Sequence, residues 1–359
     1  MKYIILLFTA FLLTISSCTD KTDLSDFPIT NNGGGTNVNE TLYVQQSPVW
    51  TGFNEPNAVL LGREPLVYVA DTKNNQVVQL DLSGVEIGRR SINNPTSIAQ
   101  DYNFDLLVIG DSVLTLTNDT VSVLYRIKLV ENFQGGIITN AAVKTMLRSD
   151  QGTVLSSRKR KFTGVGVYSD NKYIVTRTGP DNLSSLDPDN ALLKITGRDS
   201  VTLVSNLSGF QTNGNGIYSI EKMSGITTFN GELTDFIIIR NTSDFGFKIE
   251  WFLYDNVKGT YDPKFLPENN VDILNKQLGS PAGITVDNNK NIFVVDNTND
   301  SLYKYTNAGK FKKESFGGTG SGDNQLRNPK GVSFFNKVLY IADTGNNRIV
   351  RYKLSTDLQ

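Results

Sequence analysis

Six short apolar runs recur along the chain, and each ends on a charged residue. They are Val67-Tyr68-Val69-Ala70-Asp71, Leu107-Val108-Ile109-Gly110-Asp111, Tyr173-Ile174-Val175-Thr176-Arg177, Phe236-Ile237-Ile238-Ile239-Arg240, Ile292-Phe293-Val294-Val295-Asp296 and Leu339-Tyr340-Ile341-Ala342-Asp343. The runs are β-branched and aromatic and bounded by Gly, Asn and Asp, as strands require. Ahead of each lies a four-residue group in which a small residue precedes a β-branched one: Pro56-Asn57-Ala58-Val59, Pro95-Thr96-Ser97-Ile98, Phe162-Thr163-Gly164-Val165, Met223-Ser224-Gly225-Ile226, Pro281-Ala282-Gly283-Ile284 and Pro329-Lys330-Gly331-Val332. From the start of each group to the charged residue is 15, 16, 15, 17, 15 and 14 residues, whereas successive groups start 39, 67, 61, 58 and 48 residues apart. A hairpin core of nearly constant length with variable outer loops follows from that combination.

A third strand is expected after each pair, at Val77–Leu80, Val113–Leu116, Leu192–Ile195, Phe247–Phe252, Leu302–Tyr305 and Ile349–Tyr352. Strands at such spacing pack radially as four-stranded blades. The expected fold is therefore all-β, a six-bladed β-propeller of four-stranded antiparallel blades over residues 41–359. The sixth unit has no fourth strand before Gln359. The segment Thr41-Leu42-Tyr43-Val44-Gln45-Gln46 is expected to supply it, closing the ring and hiding edges that would otherwise aggregate.

Composition agrees: 38% hydrophobic residues, 19 Phe and 14 Tyr to fill a core, 31 Gly for tight turns and only 3 Met. Net charge is −1, so no overall basic footprint points to nucleic acid. The chain has no His and a single Cys, Cys18. The usual zinc sites, the Ser-His-Asp triad and its Cys-His variants are thereby excluded, as is an internal disulfide. No metal and no cofactor are expected.

The N-terminus reads as an address. Lys2 is followed by uncharged residues from Tyr3 to Ser17, too short for a span of about 20 apolar residues and right for a signal-peptide core. The ending Ile15-Ser16-Ser17-Cys18 resembles the bacterial lipobox, which implies cleavage after residue 17 and lipid on Cys18; a plain secretory signal with a chance Cys is the alternative. Residues 18–40 are polar and rich in Asn and Gly, a composition that cannot fold alone. As a flexible tether they span about 25 Å on average. Asp20, Asp23 and Asp26 resemble the surface-export signals of Bacteroidetes lipoproteins, or simply solubilise a linker. The expected location is the cell envelope, anchored to a bacterial membrane, the outer one, on its periplasmic or its surface side.

The repeat itself resembles the NHL family, whose hallmark runs Pro-x-Gly-Val, then Tyr-Val-Ala-Asp, then Asn-Arg-Ile. Val69-Ala70-Asp71 with Asn74-Asn75, and Ile341-Ala342-Asp343 with Asn346-Asn347-Arg348-Ile349, match it closely, as does the lead-in Gly322-Asp323-Asn324-Gln325-Leu326. The match covers roughly residues 41–355; it is specific in units one, five and six, partial in two, and loose in three and four. The resemblance implies a central channel, with the small-residue turns and charged-residue turns on one common face, termed here the motif face. It implies a monomeric binding or scaffold module for an extracytoplasmic protein or glycan. The alternative is a metal-dependent lactonase of the gluconolactonase kind, with a divalent ion in the channel and Glu55 near it.

Two candidate clusters are weighed on that face. Asp71, Asp111, Asp296 and Asp343 form either a ring gathering a cation or, as Asp commonly does, caps for their own turns. Arg158, Lys159, Arg160, Lys161, Arg177 and Arg240 form either a patch for an anionic partner or a solvated basic loop. Asp181, Asp187 and Asp189 in the insertion 179–190 lack EF-hand spacing and read as a surface turn. The glycines from Gly317 to Gly322 have no Lys-Ser/Thr after them and read as a blade-connecting loop.

Overall fold

The computed structural model describes residues 41–131, 135–151, 155–184, 186–242, 246–276 and 278–358. The expected signal peptide (1–17) and the tether with Cys18 (18–40) lie outside the described residues.

Strand β1 is Tyr43–Trp50. Blade 1 is β2 (Pro56–Leu61), β3 (Val67–Asp71), β4 (Gln76–Leu80) and β5 (Glu86–Ser91). Blade 2 is β6 (Ser97–Gln100), β7 (Leu106–Val113), β8 (Thr120–Lys128) and β9 (Ala142–Arg148). Blade 3 is β10 (Lys161–Val167), β11 (Tyr173–Thr178), β12 (Ala191–Thr196) and β13 (Leu203–Asn206). Blade 4 is β14 (Met223–Thr228), β15 (Phe236–Arg240), β16 (Ile249–Asp255) and β17 (Thr260–Pro263). Blade 5 is β18 (Pro281–Val286), β19 (Ile292–Asp296), β20 (Ser301–Tyr305) and β21 (Phe316–Gly317). Blade 6 is β22 (Gly331–Phe335), β23 (Val338–Asp343) and β24 (Arg348–Leu354), completed by β1. All six blades are four-stranded and antiparallel, and the first strand of each blade lies innermost. The ring closes as the sequence predicts: β1 pairs antiparallel with β24, Tyr43 opposite Leu354 and Trp50 opposite Ile349.

The apolar runs do not alternate with polar residues because both faces of each blade are covered. Each of the six core clusters fills one interface between neighbouring blades. In β3, Val67 and Val69 face blade 6, against Tyr340 and Ala342, while Tyr68 and Ala70 face blade 2, against Leu106 and Val108. In β15, Phe236 and Ile238 join Ile174 and Leu192 of blade 3. Ile237 and Ile239 join Ile292 and Val294 of blade 5. One run of five residues thus serves two interfaces, which is why all five are buried in β3, β15 and β19.

One expected strand is misplaced. Val113–Leu116 is not the third strand of blade 2: β7 continues to Val113, the chain turns with Leu114 N–H donating to the Asp119 carbonyl at 2.8 Å, and the third strand is Thr120–Lys128. The long spacing after unit two therefore includes strands of eight and nine residues as well as loops. In blade 4 the third strand starts at Ile249, two residues later than expected.

The small residue of each four-residue group has a packing reason. A Cβ on Gly331 would lie 2.7 Å from Ala58 Cα and 2.9 Å from the Asn57 carbonyl oxygen; one on Gly164 would lie 2.9 Å from Ile226 N. Innermost strands of adjacent blades approach too closely there for a side chain, so the ring can close only on Gly or another small residue.

Candidate functional site

The motif Asp residues are the latches of their blades. Asp71 Oδ1 accepts Asn54 N–H at 2.7 Å, Asp296 Oδ2 accepts Gly279 N–H at 2.6 Å, and Asp343 Oδ1 accepts Arg327 N–H at 2.7 Å. Each donor lies two residues before the Pro that opens its blade. The other oxygen takes turn side chains, Asn74 and Gln76 for Asp71, Asn346 and Arg348 for Asp343. These three carboxylates are fully buried and spent on their own blades. Asp111 is less buried and holds the Asn94 amide at 2.7 Å. They do not form a cation ring, and the described residues contain no cluster of three or more metal-ligating acids.

The residues after each Asp stitch one blade to the next. Thr72 Oγ1 donates to the Pro95 carbonyl and Thr344 Oγ1 to the Pro56 carbonyl, each at 2.7 Å. Asn75 and Asn347, both in the left-handed region at φ 53° and 56°, accept Asn94 N–H at 2.9 Å and Glu55 N–H at 2.8 Å. Glu55 is thus part of the lead-in, itself left-handed at φ 47°, as are Asn94 and Asn328 before their own prolines.

Blades 3 and 4 invert the latch. Where the other loops present N–H groups to an acceptor, these present carbonyls to a guanidinium. Arg177 donates to the Pro188 carbonyl at 2.6 Å and to Asp187 at 2.8 Å. Arg160 pairs with Asp189 at 2.6 Å and Asp187 at 2.9 Å. Arg240 donates to the Phe247 carbonyl at 3.0 Å and pairs with Glu250 at 2.9 Å. Burial pushes the Arg177 and Arg240 guanidiniums down, against the pull of Asp187 and Glu250, and pushes the Glu250 carboxyl well up. Removing two charges from water requires such close pairing. Arg158, exposed, pairs with Asp119 at 2.9 Å. Of the six cations singled out in the sequence, Lys159 and Lys161 are exposed and have no partner among the described residues, while the other four are matched by Asp119, by Asp187 and Asp189, and by Glu250. Asp187 and Asp189 are these partners rather than cation ligands.

The channel holds a cavity at each end. The motif-end cavity, about 390 Å³, is lined by the four-residue groups. Their second residues, Asn57, Thr96, Thr163, Ser224, Ala282 and Lys330, surround its mouth, with the small third residues and the branched fourth residues such as Val59 and Val332 below. The sequence signal for this ring is the variable x of the Pro-x-Gly-Val group, a position that sequence analysis passes over because only its neighbours repeat. Among the described residues, no carboxylate lines this cavity. The far-end cavity, about 460 Å³, includes one carboxylate, Asp287, already accepting Asn289 and Asn291 N–H. Glu55 faces Lys73 at 4.0 Å. These residues do not fit the divalent-ion set of a lactonase.

No family model matches the chain, and no curated protein matches it by sequence. Solved structures do. An auxiliary nutrient binding protein from Bacteroides ovatus superposes with TM-score 0.59 at 12% identity, over 88% of this chain and 78% of that one. One from Bacteroides thetaiotaomicron gives 0.59 at 10% identity, over 88% and 77%. A streptogramin B lyase gives 0.51 at 12%, over 87% and 98%. At such identities the likeness is one of fold.

Proposed function

We propose that the chain is a lipid-anchored extracytoplasmic binding module of NHL-like repeat type that takes a glycan or protein ligand on its motif face. The observation that carries this reading is the motif-end cavity: hydroxyl and amide side chains around its mouth, apolar residues below, and no carboxylate among the described residues of its wall. Pockets of about 300–1,000 Å³ with a few convergent polar groups are the usual form of a small-ligand site. Two auxiliary nutrient binding proteins share this fold, which agrees with a binding role. Lipid on Cys18 and the polar tether would hold this surface clear of a membrane.

The test is a glycan array and an envelope-protein pull-down with the full chain. Saturable binding that Ala282→Trp abolishes is expected, because an indole at the mouth fills the cavity. Binding unaffected by Ala282→Trp contradicts the site. For the anchor, mass spectrometry of the mature N-terminus should find diacylglyceryl-modified Cys18; an unmodified cleaved chain contradicts it.

A further inference from the structure

Among its described lining residues the motif-end cavity has one cation, Lys330. The arginines of the motif face are matched by acids, but the ammonium of the half-buried Lys330 makes no hydrogen bond or ion pair with any described residue; only its backbone N–H is engaged, by the Ala342 carbonyl at 3.1 Å. The charges that reach it are Glu55, which attracts, and Lys73, which repels. Glu55 is paired with Lys73 at 4.0 Å rather than with Lys330. Burial pushes its ammonium below the ordinary lysine range, a cost that an anion from outside would remove. On the adjacent innermost strand, Asn57 Oδ1 is buried with no donor. On the next, among the described residues, Thr96 Oγ1 makes only a long 3.5 Å bond to the Ile109 carbonyl and Ser97 Oγ makes none. One cation, one amide and two underused hydroxyls thus converge from blades 6, 1 and 2.

Resting on the binding reading above, we propose that this cavity recognises a carboxylated saccharide of the uronate class, its carboxylate against Lys330 and its hydroxyls against Asn57, Thr96 and Ser97. A single ammonium suits a single negative charge. A dianionic phosphate ester is better matched by a guanidinium fork, and no Arg is among the described residues of this wall. The strand edges that form the wall suit a ligand rich in hydroxyls.

The test is calorimetric titration of the full chain with trigalacturonate and with its carboxyl-reduced counterpart, trigalactose. Trigalacturonate should bind roughly tenfold or more tightly, the worth of one charge-assisted contact. Lys330→Met should erase the preference, so that the two saccharides bind alike, and Lys330→Arg should keep it. Equal affinity for the two saccharides, or a Lys330→Met chain that retains the preference, overturns the uronate assignment while leaving saccharide binding standing. Failure of both saccharides to bind also overturns it; neutral glycans or proteins captured on the array would then show that the broader reading survives alone.

Discussion

Asp343 Oδ1 accepts the backbone N–H of Arg327 at 2.7 Å, fastening the lead-in of blade 6 to the end of its second strand. Asp343 Oδ2 meanwhile holds Arg348 Nε at 2.6 Å, so one buried carboxylate joins three segments of a blade. Asp343→Ala should cost about 3–5 kcal/mol, since it strands a largely buried guanidinium. Asp111→Ala, at the equivalent but more exposed position, should cost only about 1 kcal/mol. Chemical denaturation of both variants checks the contrast; equal losses would mean that burial of the latch is immaterial.

Gly283 sits where a Cβ would collide with the Lys330 carbonyl oxygen of the neighbouring blade. Gly283→Val should destabilise by about 1–3 kcal/mol or more through overpacking. Gly231→Val, at φ 77° but in open space, separates backbone strain from collision. A Tm drop confined to Gly231→Val would contradict the account of ring closure.

The carboxyl of Asp187 is held below the usual carboxylate range: burial alone would raise it, but hydrogen bonds from Arg177 and Arg160 more than offset that. A depressed folded pKa contributes stability above the unfolded value of about 3.9, and that contribution is lost as pH falls through the folded value. Asp187→Asn should therefore be less stable than the parent at neutral pH, and the gap should shrink in acid. Denaturation midpoints measured from neutral to acid pH check this; a gap constant with pH contradicts it.

How much of this was legible in the sequence depended on what repeats. The Asp-Thr-x-Asn-Asn turn of units one and six, the paired runs and the closing strand at Tyr43 stood out because one physical task recurs in blade after blade. Val113–Leu116 misled because apolar residues at a strand end look like a new strand; only the turn at Leu114 and Asp119 distinguishes them. The basic residues misled for a different reason. Arg160 and Asp187 are 27 positions apart, and nothing in a linear reading pairs them. The mouth ring escaped notice because Asn57, Thr96, Thr163, Ser224, Ala282 and Lys330 share a place, not a residue type.

Tyr43 carries much of the closure. Its buried ring packs on Phe293 at 6.4 Å and Phe316 at 5.7 Å, both of blade 5, from a strand hydrogen-bonded to blade 6. Tyr43→Ala should cost roughly 3 kcal/mol. The loss should show first as faster hydrogen exchange in β24, the strand β1 covers. Exchange that stays slow in β24 while the global stability falls would place the closure elsewhere.

The central claim is that ligand enters the motif end of the channel. Hydrogen–deuterium exchange of the full chain, with and without the tightest glycan from the array, tests it most directly. The account predicts slowed exchange at the starts of the innermost strands, around Asn57, Ser97, Thr163, Ser224 and Lys330. Protection instead around Arg63, Asn230 and Lys290 at the far end, or on the outer loops alone, would contradict it.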